Sequence, residues 1–234
     1  MSLAGRGAVA IWNGISPAGR ENMYAWHGSE HMPERVGIPG FLRGRRYIAV
    51  HGTPEYFTLY EADGPAVVKG PDYLQRLNNP TPWTAEAIKD FSDVARSICE
   101  IAATYGSGQG GLIATWRYDV PDKGAEAHRK TMTQQVLPAL AKKPGVAGTH
   151  LLMADAAASG VETEERRRRG GPANRVPRWI VLVEGWADEG PFDALCRKEL
   201  SDAVLAKAGA AGPAEYGLYR LQNSRGKTDA GIGA

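Results

Sequence analysis

"PERVGIPGF" (33–41) and "PALAKKPGV" (138–146) together decide the fold. In each, a proline stands six positions ahead of a Pro-Gly-apolar step: Pro33 before Pro39-Gly40-Phe41, and Pro138 before Pro144-Gly145-Val146. A proline closing a helical pattern, followed by Pro-Gly and then an apolar run, reads as helix end, tight turn and strand. The same punctuation at an offset of about 105 residues marks an internal repeat.

The flanking sequence follows the same order twice. In the first half, "GAVAIW" (7–12) is a strand candidate, residues 18–36 a helix, 41–50 and "YFTLYEA" (56–62) strands, 84–95 a helix with Thr84 as N-cap, and 97–105 a strand. In the second half the strands fall at 111–118, 146–153, 178–186 and 214–223, with helices at 124–142 and 192–206. "EADGP" (61–65) is echoed by "WADEGP" (186–191). Each half is a β-α-β-β-α-β unit with one sheet face bare of helices. Two such faces in one chain pack sheet to sheet, so the expected fold is α+β: tandem ferredoxin-like repeats forming a pseudo-symmetric α+β barrel.

The expected organisation is a first repeat over 1–106, a glycine-rich connector at 107–111, a second repeat over 112–223 and a flexible tail at 224–234. Residues 155–177, "DAAASGVETEERRRRGGPANRVP", interrupt the second repeat; almost without large apolar residues, they are expected to be mobile. The Arg166–Arg169 run reads as a solvated loop, with anion binding as the sharper alternative.

Composition narrows the function classes. With 28 basic and 26 acidic residues the net charge is +2, which gives no global field to recruit nucleic acid or a membrane surface. Cys99 and Cys196 lack metal or disulfide spacing and sit in apolar runs. With no apolar stretch near 18 residues, the simplest setting is soluble, reducing and cytoplasmic. "GSGQGG" (106–111) lacks the Gly-Lys-Ser/Thr of a phosphate loop and precedes a strand, so it reads as a connector.

The densest chemistry lies in "WHGSEHMPER" (26–35). His27, Glu30 and His31 spell H-x-x-E-H, a zinc-protease pattern. Pro33 should end the helix within two residues of the second histidine and no third ligand is evident, so no metal is expected. The alternative is a catalytic dyad, His31 or His27 as acid/base oriented by Glu30 or Glu34. The plain alternative is a pair of partly exposed histidines at a helix end. The repeat provides a control: aligning Pro33 with Pro138 sets His31 against Val136, His27 against Met132 and Trp26 against Thr131. The second copy keeps the prolines and loses the polar cluster, so the first half reads as site-bearing.

On these residues the chain resembles the dimeric α+β barrel superfamily, and within it EthD-like and antibiotic-biosynthesis-monooxygenase-like proteins. Trp26, His31, Pro33, Pro39, Gly40 and Phe41 match their Trp-x-x-x-x-His-x-Pro and Pro-Gly-aromatic pattern. The resemblance implies a pocket beside His31 between helices and sheet. It also implies a small hydrophobic, aromatic or polyketide-like ligand, and monooxygenase, lyase, cyclase or isomerase chemistry without a cofactor. The alternatives it leaves are a haem-binding relative with a histidine axial ligand and a non-catalytic binding protein. Either a monomeric pseudo-dimer or a homodimer would fit.

Strand alternation puts Arg43, Arg45 and Tyr47 on one face and Arg46 on the other. With Trp26, Glu34 and Tyr60 these are the candidate substrate-binding residues; the arginines could instead serve the inter-repeat interface. Trp83, Trp116, Trp179 and Trp186 read as core or interface aromatics. His128 reads as polar-face, His51 as a turn residue and His150 as a satisfied interior histidine.

Overall fold

Strands β1 (Gly7–Ile15), β2 (Phe41–His51), β3 (Tyr56–Ala62) and β4 (Phe91–Gly106) belong to the first half. β5 (Leu112–Asp119), β6 (Val146–Ala154), β7 (Trp179–Gly185) and β8 (Ala211–Gly226) belong to the second. In the computed structural model, which describes residues 2–227, they close into one antiparallel barrel in the order β1-β3-β2-β8-β5-β7-β6-β4. Each half keeps the ferredoxin-like order, and the halves join edge to edge at two seams, β2 with β8 and β4 with β6. Closure leaves no strand edge exposed. Helices cover the outside.

The strand registers of the two halves are equivalent, and they correct one detail. Gly7 faces Ala62 as Leu112 faces Gly185, and Arg45 faces Leu59 as His150 faces Leu182. Glu61 is therefore the counterpart of Glu184, and the echo of "EADGP" in "WADEGP" is displaced from the true register.

Both first helices contain a π-turn at the repeat-equivalent place, His27–His31 and Met132–Val136. The N–H of the residue before each proline reaches five back, Met32 to His27 O and Leu137 to Met132 O. A mid-helix proline lacks an N–H and crowds the carbonyl four residues earlier; widening the preceding turn relieves both. Pro33 therefore does not end the helix, which continues through Met32–Gly37.

Other elements differ from expectation for local reasons. The helix expected at 84–95 is Pro82–Ala87, because Thr81 rather than Thr84 caps it, accepting from the Thr84 N–H. β4 then starts at Phe91. Short helices Pro65–Val68 and Pro71–Asn78 fill the unassigned stretch before it, each opened by its proline. The 192–206 helix is two, Glu189–Glu199 and Asp202–Lys207, the second capped by Ser201. Arg225 and Gly226, expected in a tail, pair with Gly44 and Arg43 on β2; residues 228–234 lie outside the described residues.

The barrel interior mixes apolar packing with ions. Trp12 stacks on Phe57, with Ile113, Leu182 and Tyr219 around them. At the centre Arg45, wholly buried, donates to Glu184 at 2.9 and 3.1 Å and to Glu61 at 3.0 Å. Arg43 adds two bonds to Glu61, and His150 lies 3.4 Å from Glu184 while bonding Ser2 and Thr104. Burial alone would push the Glu184 carboxyl up, yet hydrogen bonds from His150 and Arg45 hold it at about 2. The face carrying Arg43, Arg45 and Tyr47 is thus interior, made tolerable by two glutamates. These three residues serve the junction of the repeats and do not line the pocket beside His31.

Two other assignments change. His128 is buried, bonded to Tyr118 and to the Ala208 carbonyl, rather than on a polar face. Trp83 and Trp186 are exposed, at 36% and 68%, while Trp116 and Trp179 are core. Both cysteines are free and buried. Among the described residues, no helix is long and apolar enough to cross a membrane.

Candidate functional site

The π-turn determines what the first helix shows to the sheet. Residues five apart diverge by about 140° on an α-helix, but by roughly 50° on a turn of about 4.4 residues. Trp26 and His31 therefore lie together, ring centroids 4.2 Å apart, with His27 5.6 Å from His31. Behind them Tyr60 of β3 shares a hydrogen bond of 3.2 Å with His27 Nε2. All four side chains are buried.

A cavity of about 690 Å³, counting its open mouth, runs past this cluster. Its aromatic floor is Trp26, Tyr60, Tyr73 and Phe91, and His31 stands on its wall. A smaller cavity of about 350 Å³, again counting its open side, shares His31, Trp26 and Tyr60 with it and is also lined by His27, Arg46 and Tyr56. Arg46, facing away from Arg43 and Arg45 as the alternation predicts, is the arginine of β2 that reaches this site. Its guanidinium lies over Tyr24 and donates to Gln222.

The histidines are neutral at pH 7. Burial, then the Arg46 and Arg35 charges, lowers His27 to about 3. Burial, then Arg35 and His27, holds His31 well below its ordinary value. Among the described residues, the buried Nδ1 atoms of both rings have no partner. Burial pushes the Tyr60 phenol far up, so it stays protonated.

Neither glutamate orients His31. Glu30 accepts from Thr81 and Thr84 hydroxyls at 2.5 and 3.3 Å, and Thr84 in turn accepts from the Trp26 indole N–H at 3.0 Å. Glu30 thus fixes, through two hydrogen bonds, the indole on which His31 lies. Glu34 pairs with Arg35 and Arg76. The H-x-x-E-H ligand set is not assembled, and among the described residues no three His, Cys, Asp or Glu side chains converge on a metal-sized space.

A haem-ligating imidazole ordinarily donates its second ring N–H to an acceptor. Among the described residues, His31 Nδ1 has no such acceptor, whereas His27 has the Tyr60 hydroxyl on Nε2 and an unpartnered Nδ1.

The sequence reading overlooked several lining residues. Arg35, one turn after His31, is 1% exposed and pairs with Glu34 and with Glu165; its i,i+4 spacing was a usable signal. Glu165 comes from the insertion, which is not a loose loop. It forms helices Ala156–Ser159 and Glu164–Arg169, ties Asp155 to Lys69, and bonds Arg175 to the β4 backbone. The second half thereby roofs the first half's pocket.

No protein-family model matches the chain, and no curated protein resembles it in sequence. Solved structures match it in fold. An anthrone oxidase-like protein covers 94% of this chain and 92% of its own at 11% identity, with a TM-score of 0.63. A "putative monooxygenase" from Lactobacillus acidophilus NCFM covers 94% and 96% at 9% identity, TM-score 0.57. A "Putative Chlorite dismutase" covers 94% and 96% at 11% identity, TM-score 0.54. The chain therefore shares the fold of these proteins, an α+β barrel closed within one polypeptide. At such identities the likeness extends to fold alone.

Proposed function

We propose that the protein is a small-molecule enzyme that moves protons on a hydrophobic aromatic or polyketide-like compound held against Trp26 and beside His31. The observation that carries this reading is a neutral, buried imidazole on the wall of an aromatic-floored cavity, in one half of a repeat whose other half lacks it. Three neighbours in fold carry names of oxidative small-molecule enzymes, which is consistent with such a role.

In this reading His31 removes a proton from a phenolic or enolic group and returns it to product. The unprotonated ring is the resting form because burial and Arg35 disfavour its charge. An arriving anion offsets Arg35 and raises the affinity of His31 for the proton at the moment it is needed. Tyr60 and His27 back the ring, and Glu30 acts as a positioning residue through Thr84 and Trp26. The chemistry requires no bound metal or nucleotide.

The test is a spectrophotometric screen of anthrones, phenols and polyketide-like aromatic ketones, followed by His31→Gln. A loss of kcat of about 100-fold or more with unchanged circular dichroism supports the role; unchanged turnover removes it. A Soret band on adding haem, lost in His31→Gln, would instead support the haem-binding alternative. Ligands that raise Tm without being converted would indicate a binding protein.

A further inference from the structure

The run Arg166–Arg169 is divided by its helix into two pairs with different surroundings. Arg167 and Arg168 point outward, 66% and 51% exposed, and both bond Glu164. Arg166 and Arg169, three apart and so on one face, line the cavity beside His31 together with Arg96 of β4.

Among the described residues, none of these three lining guanidiniums has a carboxylate partner in hydrogen-bond contact. Arg166 donates to the carbonyls of Gly170 and Gly171, Arg169 to the Asn174 side chain and Arg96 to the Tyr73 hydroxyl. The one acidic side chain in the lining, Glu165, is committed to Arg35. Four arginines against one glutamate make the lining strongly cationic, in a chain whose total charge is only +2. The guanidiniums also feel one another: burial, then the Arg166 and Arg96 charges, lowers Arg169, outweighing Glu162 and Glu165, which act the other way. Like charges gathered in a partly desolvated mouth are unfavourable unless an anion joins them.

We infer that Arg96, Arg166 and Arg169 form the receptor for an anionic group, of carboxylate or sulfonate type, carried by the aromatic ligand of this pocket. The inference rests on the proposed function and names its substrate class: an aromatic acid whose ring lies on Trp26, Tyr60 and Phe91 while its anionic group faces the arginines at the mouth. Planar guanidinium forks suit a carboxylate held by two parallel hydrogen bonds. The insertion, belonging by sequence to the second half, completes the site of the first.

The test is calorimetric titration of the full chain with 1-naphthoate and with its neutral counterpart 1-naphthalenemethanol, at low and high salt. The wild type should bind naphthoate about tenfold or more tightly than the alcohol, a preference that shrinks with salt. Arg166→Gln/Arg169→Gln should abolish the preference while leaving the alcohol's affinity unchanged, and Arg167→Gln/Arg168→Gln should retain it. Equal affinity for the two compounds in the wild type, or equal loss in both double variants, overturns the inference while leaving the pocket standing. Failure of both compounds to bind overturns the pocket and this inference together.

Discussion

The two π-turns, His27–His31 and Met132–Val136, have the same backbone and opposite contents. In the first, His27 bonds Tyr60 and His31 lies on Trp26 beside a cavity. In the second, Met132 packs in one apolar cluster with Val183, the register counterpart of Tyr60, and with Trp116, the counterpart of Ile11. The difference teaches which features belong to the fold. The proline and the widened turn recur wherever this helix meets this sheet; the imidazoles occur only in the half whose turn borders the cavity.

That comparison can be broken most sharply by activity. Because His31 borders the cavity and Val136 does not, His31→Ala should lower kcat about 100-fold or more on any substrate found, and Val136→Ala should change it less than about twofold. Equal effects in steady-state assays would erase the distinction between the halves. Next in size is packing. Met132→Ala should cost about 2–5 kcal/mol in urea unfolding. His27→Met, which copies the second half, should cost less than this, because it removes a desolvated polar ring along with one hydrogen bond; a greater loss would make His27 a structural residue.

The third prediction concerns pH. His27 titrates at about 3 in the folded chain, against about 6.5 when unfolded. As pH falls the unfolded chain takes up the proton first. The stabilisation is therefore complete above about 6.5 and declines as pH falls toward the folded value, with a slope of about 1.4 kcal/mol per pH unit for each such histidine. His27→Gln/His31→Gln should flatten the acid limb between pH 6 and 4, while Met132→Ala should shift the curve without changing its slope. An unaltered limb in the histidine variant would show that these rings are not buried neutral. A further effect is expected from Trp26→Phe, which loses the bond to Thr84 and part of a buried ring and should cost about 1–3 kcal/mol; the smallest is expected from Thr131→Ala, at the counterpart position, which should be near neutral by the same measurement.

The fold was legible because it rests on short-range chemistry repeated at a fixed offset: Pro33 with Pro138, Gly40 with Gly145. Those glycines have φ of 81° and 87°, a region that favours glycine, so the turn had to be written into the sequence twice. The site was only half legible. His31 and Trp26 could be singled out by their absence from the second copy, but their stacking could not, since it depends on a π-turn that a 100° helical wheel misplaces. Arg45 stood open between ligand contact and the inter-repeat interface, because its neutralising partner Glu184 lies 139 residues away in the other half. Glu165 was hidden, and anion binding by Arg166–Arg169 stood second to a solvated loop, for a related reason: a polar segment without large apolar residues looks mobile, yet this one is tied down by ion pairs and a backbone bridge to β4.

The central claim is that the first half holds a neutral imidazole against a ligand where the second half holds only packing. Its most direct test is a pH titration of the ¹⁵N-labelled histidine rings by NMR, with and without saturating 1-naphthoate. The account predicts that His31 stays neutral down to well below pH 6 in the free protein, and that ligand raises its pKa while leaving that of buried His128 in the second half unmoved. A His31 that titrates near 6.5 and ignores the ligand would contradict it.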